Sequence, residues 1–320
     1  MTKPVLWITR KLSDATQERA ARDYDVILNP EDRVFSGEEI VEMSAKVDAI
    51  LPCHSEIFSA DVVQRLSDRI RIIANHSVGV DHCDLPALKA RAITVTNTPD
   101  VLSDATAEIA LLLMLGAARR ASEGDRLVRS GQWKSWSPSF MVGIQTTGKK
   151  FGIIGMGRVG LAVRKIVSGL GMQVHYSNRR RLPAESEHGA IYHDNVEDLL
   201  GAVDIVSLNC PSTPQTLNLM DARRLSLMKK GAILVNTARG NLIDEAALVV
   251  ALKSGHLFAA GLDVFKTEPG GNPELAKLDN VFLLPHIGSA TLETRDAMGF
   301  RALDNLDAFF AGKEPHDRLV

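Results

Sequence analysis

KKFGIIGMGRVGLAVRKIVSGLGMQVHYSNRRR, Lys149 to Arg181, holds in order an apolar strand, a glycine turn, a helix and a second strand that ends in cations. Gly155, Gly157 and Gly160 form G-x-G-x-x-G directly after the apolar run Phe151 to Ile154. A strand that turns sharply into a helix and lets a pyrophosphate approach its backbone needs small residues at those places. The N–H groups of Met156, Gly157, Arg158 and Val159 are expected to face that pyrophosphate at the helix start. About 20 residues further on, an NAD site carries Asp or Glu for the ribose 2′-hydroxyl. This chain has Ser177, Asn178, Arg179 and Arg180 there. Cations suit a 2′-phosphate, so the stretch reads as a dinucleotide site that prefers NADP(H) and accepts NAD(H) second.

Outward from this stretch, short β-branched runs alternate with amphipathic helical segments, the pattern of parallel sheets covered on both faces. The early strands are expected at Val5 to Thr9, Asp25 to Leu28, Ala49 to Leu51, Ile70 to Ala74 and Ile93 to Thr96. Helical segments at Ser13 to Arg22, Gly37 to Lys46 and Ala60 to Leu66 lie between them, and this first series has no glycine fingerprint. A long helical stretch, Ser103 to Ser130, has the buried-type centre LLLMLGAA, and a Trp- and Pro-bearing loop, Gly131 to Gly148, follows it. The second series starts at Phe151 and continues through Gln173 to Tyr176, Asp204 to Asn209, Ala232 to Asn236, Ala259 to Val264 and Val281 to Leu284. The last helical stretch, Ala290 to Phe310, comes too late for that sheet and is expected to return to the first domain. The fold class is therefore α/β, with two doubly wound parallel-sheet domains. Residues 1–98 and 289–320 would form the substrate domain, and residues 99–288 an inserted Rossmann domain for NADP(H).

The composition is unremarkable for such a protein. With 320 residues, 24% charged and a formal net charge of −2, nothing favours nucleic acid or an anionic membrane as partner. Cys53, Cys83 and Cys210 lie far apart with no C-x-x-C pair, so neither a disulfide framework nor a zinc site is expected, and no metal is. The N-terminus MTKPVLWITR lacks an apolar signal core, and the run Ile109 to Ala118 is too short to span a bilayer, which points to a cytoplasmic protein.

Four further pieces follow the glycine turn: NTARG (Asn236 to Gly240), GLDVF (Gly261 to Phe265), Glu268 with Pro269, and PHIGSAT (Pro285 to Thr291). Each lies at or just after an expected strand, and open α/β sheets bind ligands outside the carboxyl ends of their strands. Arg239, Glu268 and His286 are thus expected in one cleft. With SVGVDH (Ser77 to His82), these motifs span essentially the whole chain, which resembles the D-isomer-specific 2-hydroxyacid dehydrogenases. Within that family it is most similar to the glyoxylate/hydroxypyruvate reductase branch, which includes enzymes that also reduce 2-ketogluconate. The resemblance implies a Rossmann coenzyme domain inserted into a flavodoxin-like substrate domain, and hydride transfer between NADPH and a small 2-oxo acid or 2-hydroxy acid.

Arg239 suits such a substrate because its fork can hold carboxylate and carbonyl oxygens together. The resemblance makes His286 the general acid/base and Glu268 the partner that holds its ring. It also places the substrate carboxylate on the backbone at Val78 and Gly79. Pro211, Thr216, Thr237 and Ala238, with Arg239, His286 and Gly288, are expected against the cofactor by position. Asp263 matches the residue near the nicotinamide carboxamide in the family, and Thr106 a further contact. Cys53 and His54, at a strand end that lines the pocket in related enzymes, match no family role. The resemblance also implies a homodimer, formed through the loop of Trp133, Trp136, Pro138 and Phe140 and the helix before it. Alternatives are a dinucleotide-sensing binding protein like the corepressors of this fold, or an NAD-linked D-lactate or D-3-phosphoglycerate dehydrogenase. The lactate enzyme fits less well because no acidic residue stands near Ser177, and the phosphoglycerate enzyme because many carry an additional C-terminal domain.

Overall fold

The structure, a computed structural model, describes residues 3–320, so the first two residues of the MTKPVLWITR segment lie outside it. The described chain forms two compact units, one made of residues up to Leu102 with Ala290–Val320, the other of Ser103–Ser289. These cuts fall at the start of one long helix and just before the cap of another, with the loop Pro99 to Leu102 assigned to the first unit.

In the first unit, β1 (Val5–Ile8), β2 (Asp25–Ile27), β3 (Ala49–Leu51), β4 (Ile72–Ala74) and β5 (Thr94–Thr96) form a parallel sheet in the order β2-β1-β3-β4-β5. This is the flavodoxin-like order. Period-2 alternation divides each strand between two cores. Trp7, Ile50 and Ile73 face the helices that carry Ile40, Val63 and Leu88, while Leu6, Ile8, Leu51 and Ile72 face Ala20, Ala302, Leu303 and Leu306. The latter residues show that the helix Leu292–Phe310 belongs to this unit; Thr291 caps it by accepting the Thr294 N–H at 3.1 Å. Ile70 and Ile93 are buried yet precede their strands, because their N–H groups bond the turn carbonyls of Ser67 and Leu88 instead of a neighbouring strand.

In the second unit, β6 (Lys150–Ile154), β7 (Gln173–Ser177), β8 (Ile191–Tyr192), β9 (Ile205–Leu208), β10 (Ala232–Asn236), β11 (Leu257–Leu262) and β12 (Val281–Leu283) are also parallel. Their order is β12-β11-β10-β9-β6-β7-β8, so counting from β6 it reads 3-2-1-4-5-6 with β12 added at the edge. The two-residue edge strand β8 is too short to leave a periodic signal in the sequence. Phe151, Ile153 and Val235 face the helices Ser103–Ala118 and Arg158–Ser168, whereas Ile154, Leu234 and Leu262 face the opposite core. The helical stretch Ser103 to Ser130 is two helices, Ser103–Ala118 and Ala121–Arg129. They break at Arg120, whose left-handed φ of +55° accompanies a two-pronged bond from its guanidinium to Glu123. No residue of the second helix is buried.

Candidate active site

The glycine turn leaves β6 at the point where strand order reverses between β6 and β9. Gly155 has φ +93°, and a Cβ there would lie 2.5 Å from the Cys210 nitrogen, so the turn runs flush against the chain leaving β9. A Cβ at Gly160 would lie 2.6 Å from the Gly155 carbonyl oxygen, whereas one at Gly157 would meet nothing within 4 Å. Gly157 starts the helix Arg158–Ser168 without a side-chain cap, which leaves first-turn N–H groups without intrahelical acceptors beside that open space.

Two of the expected pyrophosphate donors are turned inward. The Met156 N–H goes to Asn178 Oδ1 at 2.6 Å, and the Gly157 N–H to the Gly155 carbonyl at 2.9 Å. Anion binding at this turn therefore falls to the helix start. Ser177 is buried and its carbonyl takes the Gly155 N–H at 3.0 Å, so Ser177 and Asn178 brace the turn from the end of β7. The arginines that follow divide. Arg181 grips Glu187 through Nε at 2.7 Å and Nη2 at 3.1 Å, and with the Tyr176 hydroxyl at 2.6 Å it holds the Glu187 carboxyl down at about 2. Arg179 and Arg180 are exposed and their guanidiniums pair with no described residue.

At the carboxyl ends of β9 and β10, the buried atoms Asn209 Nδ2 and Thr237 Oγ1 have no partner among the described residues. Thr216 instead spends its hydroxyl on its own loop, donating to the Pro211 carbonyl at 2.8 Å and accepting the Thr213 N–H at 2.8 Å. Open space at Gly157, an uncapped helix start and two orphaned polar atoms on one sheet edge fit a dinucleotide.

After β10, Asn236 brackets the NTARG loop: Nδ2 donates to the Arg239 carbonyl at 2.8 Å and Oδ1 accepts the Ala238 N–H at 2.9 Å. Arg239 Nη1 donates to the Ala238 carbonyl at 2.8 Å. A Cβ at Gly240 would lie 1.8 Å from the Phe265 carbonyl carbon, so only glycine lets this loop meet the one that carries Glu268. Asp263, at the end of β11, is buried and organises the PHIGSAT turn. Its carbonyl accepts the His286 N–H at 2.8 Å, Oδ1 the Ile287 N–H at 2.8 Å and Oδ2 the Gly288 N–H at 2.7 Å. Burial pushes the Asp263 carboxyl up, against the pull of those N–H groups and of His286. The space a Cβ would take at Gly288 is bounded by Asp263 at 3.2 Å and by Thr106, a buried residue, at 3.4 Å. Glu268 accepts the Phe265 N–H on Oε1 at 2.7 Å and meets His286 Nδ1 with Oε2 at 2.6 Å. A carboxylate only accepts, so Nδ1 carries the ring proton of neutral His286.

In the first unit, the turn after β4 has its carbonyls tied back. Ser77 Oγ donates to the Gly79 carbonyl at 2.8 Å and Asn97 Nδ2 to the Val78 carbonyl at 2.9 Å, while the Val78 and Gly79 N–H groups donate to no described residue. This is an anion-receiving arrangement. Beyond β3, burial pushes the Cys53 thiol up to about 12, and His54 is exposed. Glu56, fully buried, takes the Thr9 hydroxyl at 2.8 Å and the Cys53 N–H at 3.2 Å and so fixes this loop. Nothing in the sequence singled out Glu56, since a lone Glu in a polar loop reads as solvated.

The loop aromatics are exposed, Trp133 by 55%, Trp136 by 74% and Phe140 by 40%. All three cysteines are free thiols, and among the described residues no helix is long and apolar enough to cross a membrane.

The sequence model of the D-isomer specific 2-hydroxyacid dehydrogenase NAD binding domain matches residues 111–288. Glycerate dehydrogenase of Hyphomicrobium methylovorum is 40% identical over 316 residues, 98% of each chain. Glyoxylate reductase of Pyrococcus furiosus is 42% identical over 318 residues, 98% of this chain and 94% of its own length. The crystal structure of the NADPH-dependent glyoxylate/hydroxypyruvate reductase of Sinorhizobium meliloti in complex with NADP and malonate is similar with a TM-score of 0.88. Its identity is 31%, over 100% of this chain and 97% of that one.

Proposed function

The chain belongs to the D-isomer-specific 2-hydroxyacid dehydrogenases, a family of NAD(P)-dependent oxidoreductases, and on that premise we propose that it reduces glyoxylate, hydroxypyruvate and, as a larger substrate, 2-ketogluconate, with NADPH preferred. The observation that carries the reading is the 2.6 Å pair of His286 Nδ1 and Glu268, held in the same unit as the glycine turn. A bound reduced nicotinamide supplies hydride to the keto carbon. Protonated His286 gives a proton from Nε2 to the carbonyl oxygen, while Glu268 keeps Nδ1 protonated and the ring in place. Arg239 holds the 2-oxo acid by charged hydrogen bonds, and the Val78 and Gly79 N–H groups receive a carboxylate.

The second unit would hold the cofactor, with Arg158, Val159 and Gly160 at the pyrophosphate and Thr237 among its contacts. Arg179 and Arg180 would meet the 2′-phosphate, which is the basis for preferring NADPH. The unburied helix Ala121–Arg129 and the exposed aromatic loop favour a homodimer, and the free thiols favour a reducing cytoplasm.

The direct test is NADPH and NADH consumption with glyoxylate, hydroxypyruvate, 2-ketogluconate and pyruvate. Turnover of the first two, faster with NADPH, is expected. No turnover with any of the four would remove the reductase reading and favour a dinucleotide sensor.

A further inference from the structure

The arginines of the first unit share a habit that one of them breaks. Each of the others pairs with a carboxylate, as Arg10 does with Asp32 and Arg301 with Asp317, or lies over a ring, as Arg71 does at 5.1 Å from the Phe309 centroid. The guanidinium of Arg295 makes no ion pair, hydrogen bond or ring contact with any described residue, although it is half-buried. Burial draws its pKa below the ordinary value, yet a guanidinium stays charged in a protein. A partly desolvated cation without a counter-charge is destabilising unless the counter-charge arrives from outside.

Its place in the unit is informative. Arg295 lies in the first turn of the helix Leu292–Phe310, whose dipole adds positive potential there. Its carbonyl meets His76 Nε2 at 3.3 Å, and the His76 N–H donates to the Pro52 carbonyl at 2.8 Å. Arg295 thus stands at the carboxyl ends of β3 and β4, the edge that also presents Val78 and Gly79. Its charge acts on the His76 ring and the Cys53 thiol, although burial dominates at both. His76 is 4% exposed and its Nδ1 has no hydrogen-bond partner among the described residues, a second unsatisfied group next to Arg295.

We propose that Arg295 binds the distal, oxygen-bearing group of the substrate, so that the enzyme favours 2-oxo acids with a second carboxylate, and next those with a hydroxyl, over those ending in a methyl group. The assignment rests on the reductase reading for its substrate class. A fork of donors matches a carboxylate in two places, and a charged hydrogen bond left unmade in a half-buried site is a large penalty for the methyl analogue.

The test compares kcat/KM for oxaloacetate, hydroxypyruvate, pyruvate and glyoxylate in wild type, Arg295→Leu and Arg295→Lys, with NADPH. In Arg295→Leu the ratio of oxaloacetate to glyoxylate should fall about 10- to 100-fold, carried by KM, and the Lys variant, with charge but no fork, should lie between. Parallel losses on all four substrates, or an unchanged ratio, overturn the proposal. If Arg295→Leu does not fold by circular dichroism, the ratio in the Lys variant decides alone: a fall keeps the proposal and no change overturns it. Malonate against acetate in thermal unfolding gives an arm that needs no turnover. A rise in Tm with malonate in wild type that is reduced in the variant keeps the proposal even if the reductase reading fails, and equal shifts, or none, overturn it.

Discussion

His286 takes a φ of +54°, a conformation that a residue with a bulky side chain keeps only when its surroundings hold it. Three bonds to Asp263 from successive N–H groups supply that hold, and the ring is then aimed by one carboxylate oxygen of Glu268. His286→Ala should therefore lower kcat about 100-fold or more while leaving NADPH affinity, read by fluorescence titration, nearly unchanged. Unchanged turnover would remove His286 from the mechanism. The cations after β7 carry a separate expectation. Replacing Arg179 and Arg180 together by Ser should raise KM for NADPH about 10-fold or more relative to that for NADH, because on the proposed role each would lose a charge-assisted bond to the 2′-phosphate. Equal effects on both cofactors would refute that role. Neighbouring residues of one polar run thus have different tasks. Arg181 closes on Glu187 and Asn178 on the Met156 backbone, partners that no local pattern announces.

At the scale of elements, a histidine of β7 meets one that directly follows β8. His175 Nδ1 meets His193 Nε2 at 2.8 Å, and His175 Nε2 meets Gln173 Oε1 at 3.3 Å. Burial, and then the neighbouring His193, push His175 down to about 4, below the 6.5 of a free imidazole. The folded state therefore binds fewer protons than the unfolded one between those values, and stability rises with pH there. The contribution is complete above about 6.5 and is lost as pH falls through about 4. Urea midpoints measured from pH 7.5 to 4 should drop further in wild type than in His175→Gln; parallel curves would show that His175 is not the titrating group. The glycine turn was legible in the sequence because strand, turn and helix follow one another within a short span. The break at Arg120 was not, since no Gly or Pro marks residues 119–121, and the left-handed turn there shows only in the folded backbone, with one helix buried and the other exposed.

For the whole molecule, one short segment of the second unit exposes Val128, Trp133, Trp136, Phe140 and Val142, whereas other exposed apolar residues such as Leu28, Leu217 and Val250 lie apart in the sequence. A homodimer that covers this segment predicts a molecular mass by sedimentation equilibrium of about twice the 34.8 kDa chain, and loss of that dimer in a Val128→Lys, Trp136→Lys double variant. A monomeric wild type would leave the segment without its assigned partner. By itself, the sequence determined that there are two β/α series, that the glycine turn opens the second, and that Arg239, Glu268 and His286 follow it at strand ends. These features are written in short-range periodicity and turn chemistry, where each residue's role depends on near neighbours. Tertiary structure alone decided the strand order of each sheet, which N–H groups remain for an anion, which arginines are already paired, and that Arg295 is not. Those outcomes depend on donors and acceptors far apart in the chain competing for the same partners, and the competition is resolved only when the folded backbone brings them within reach.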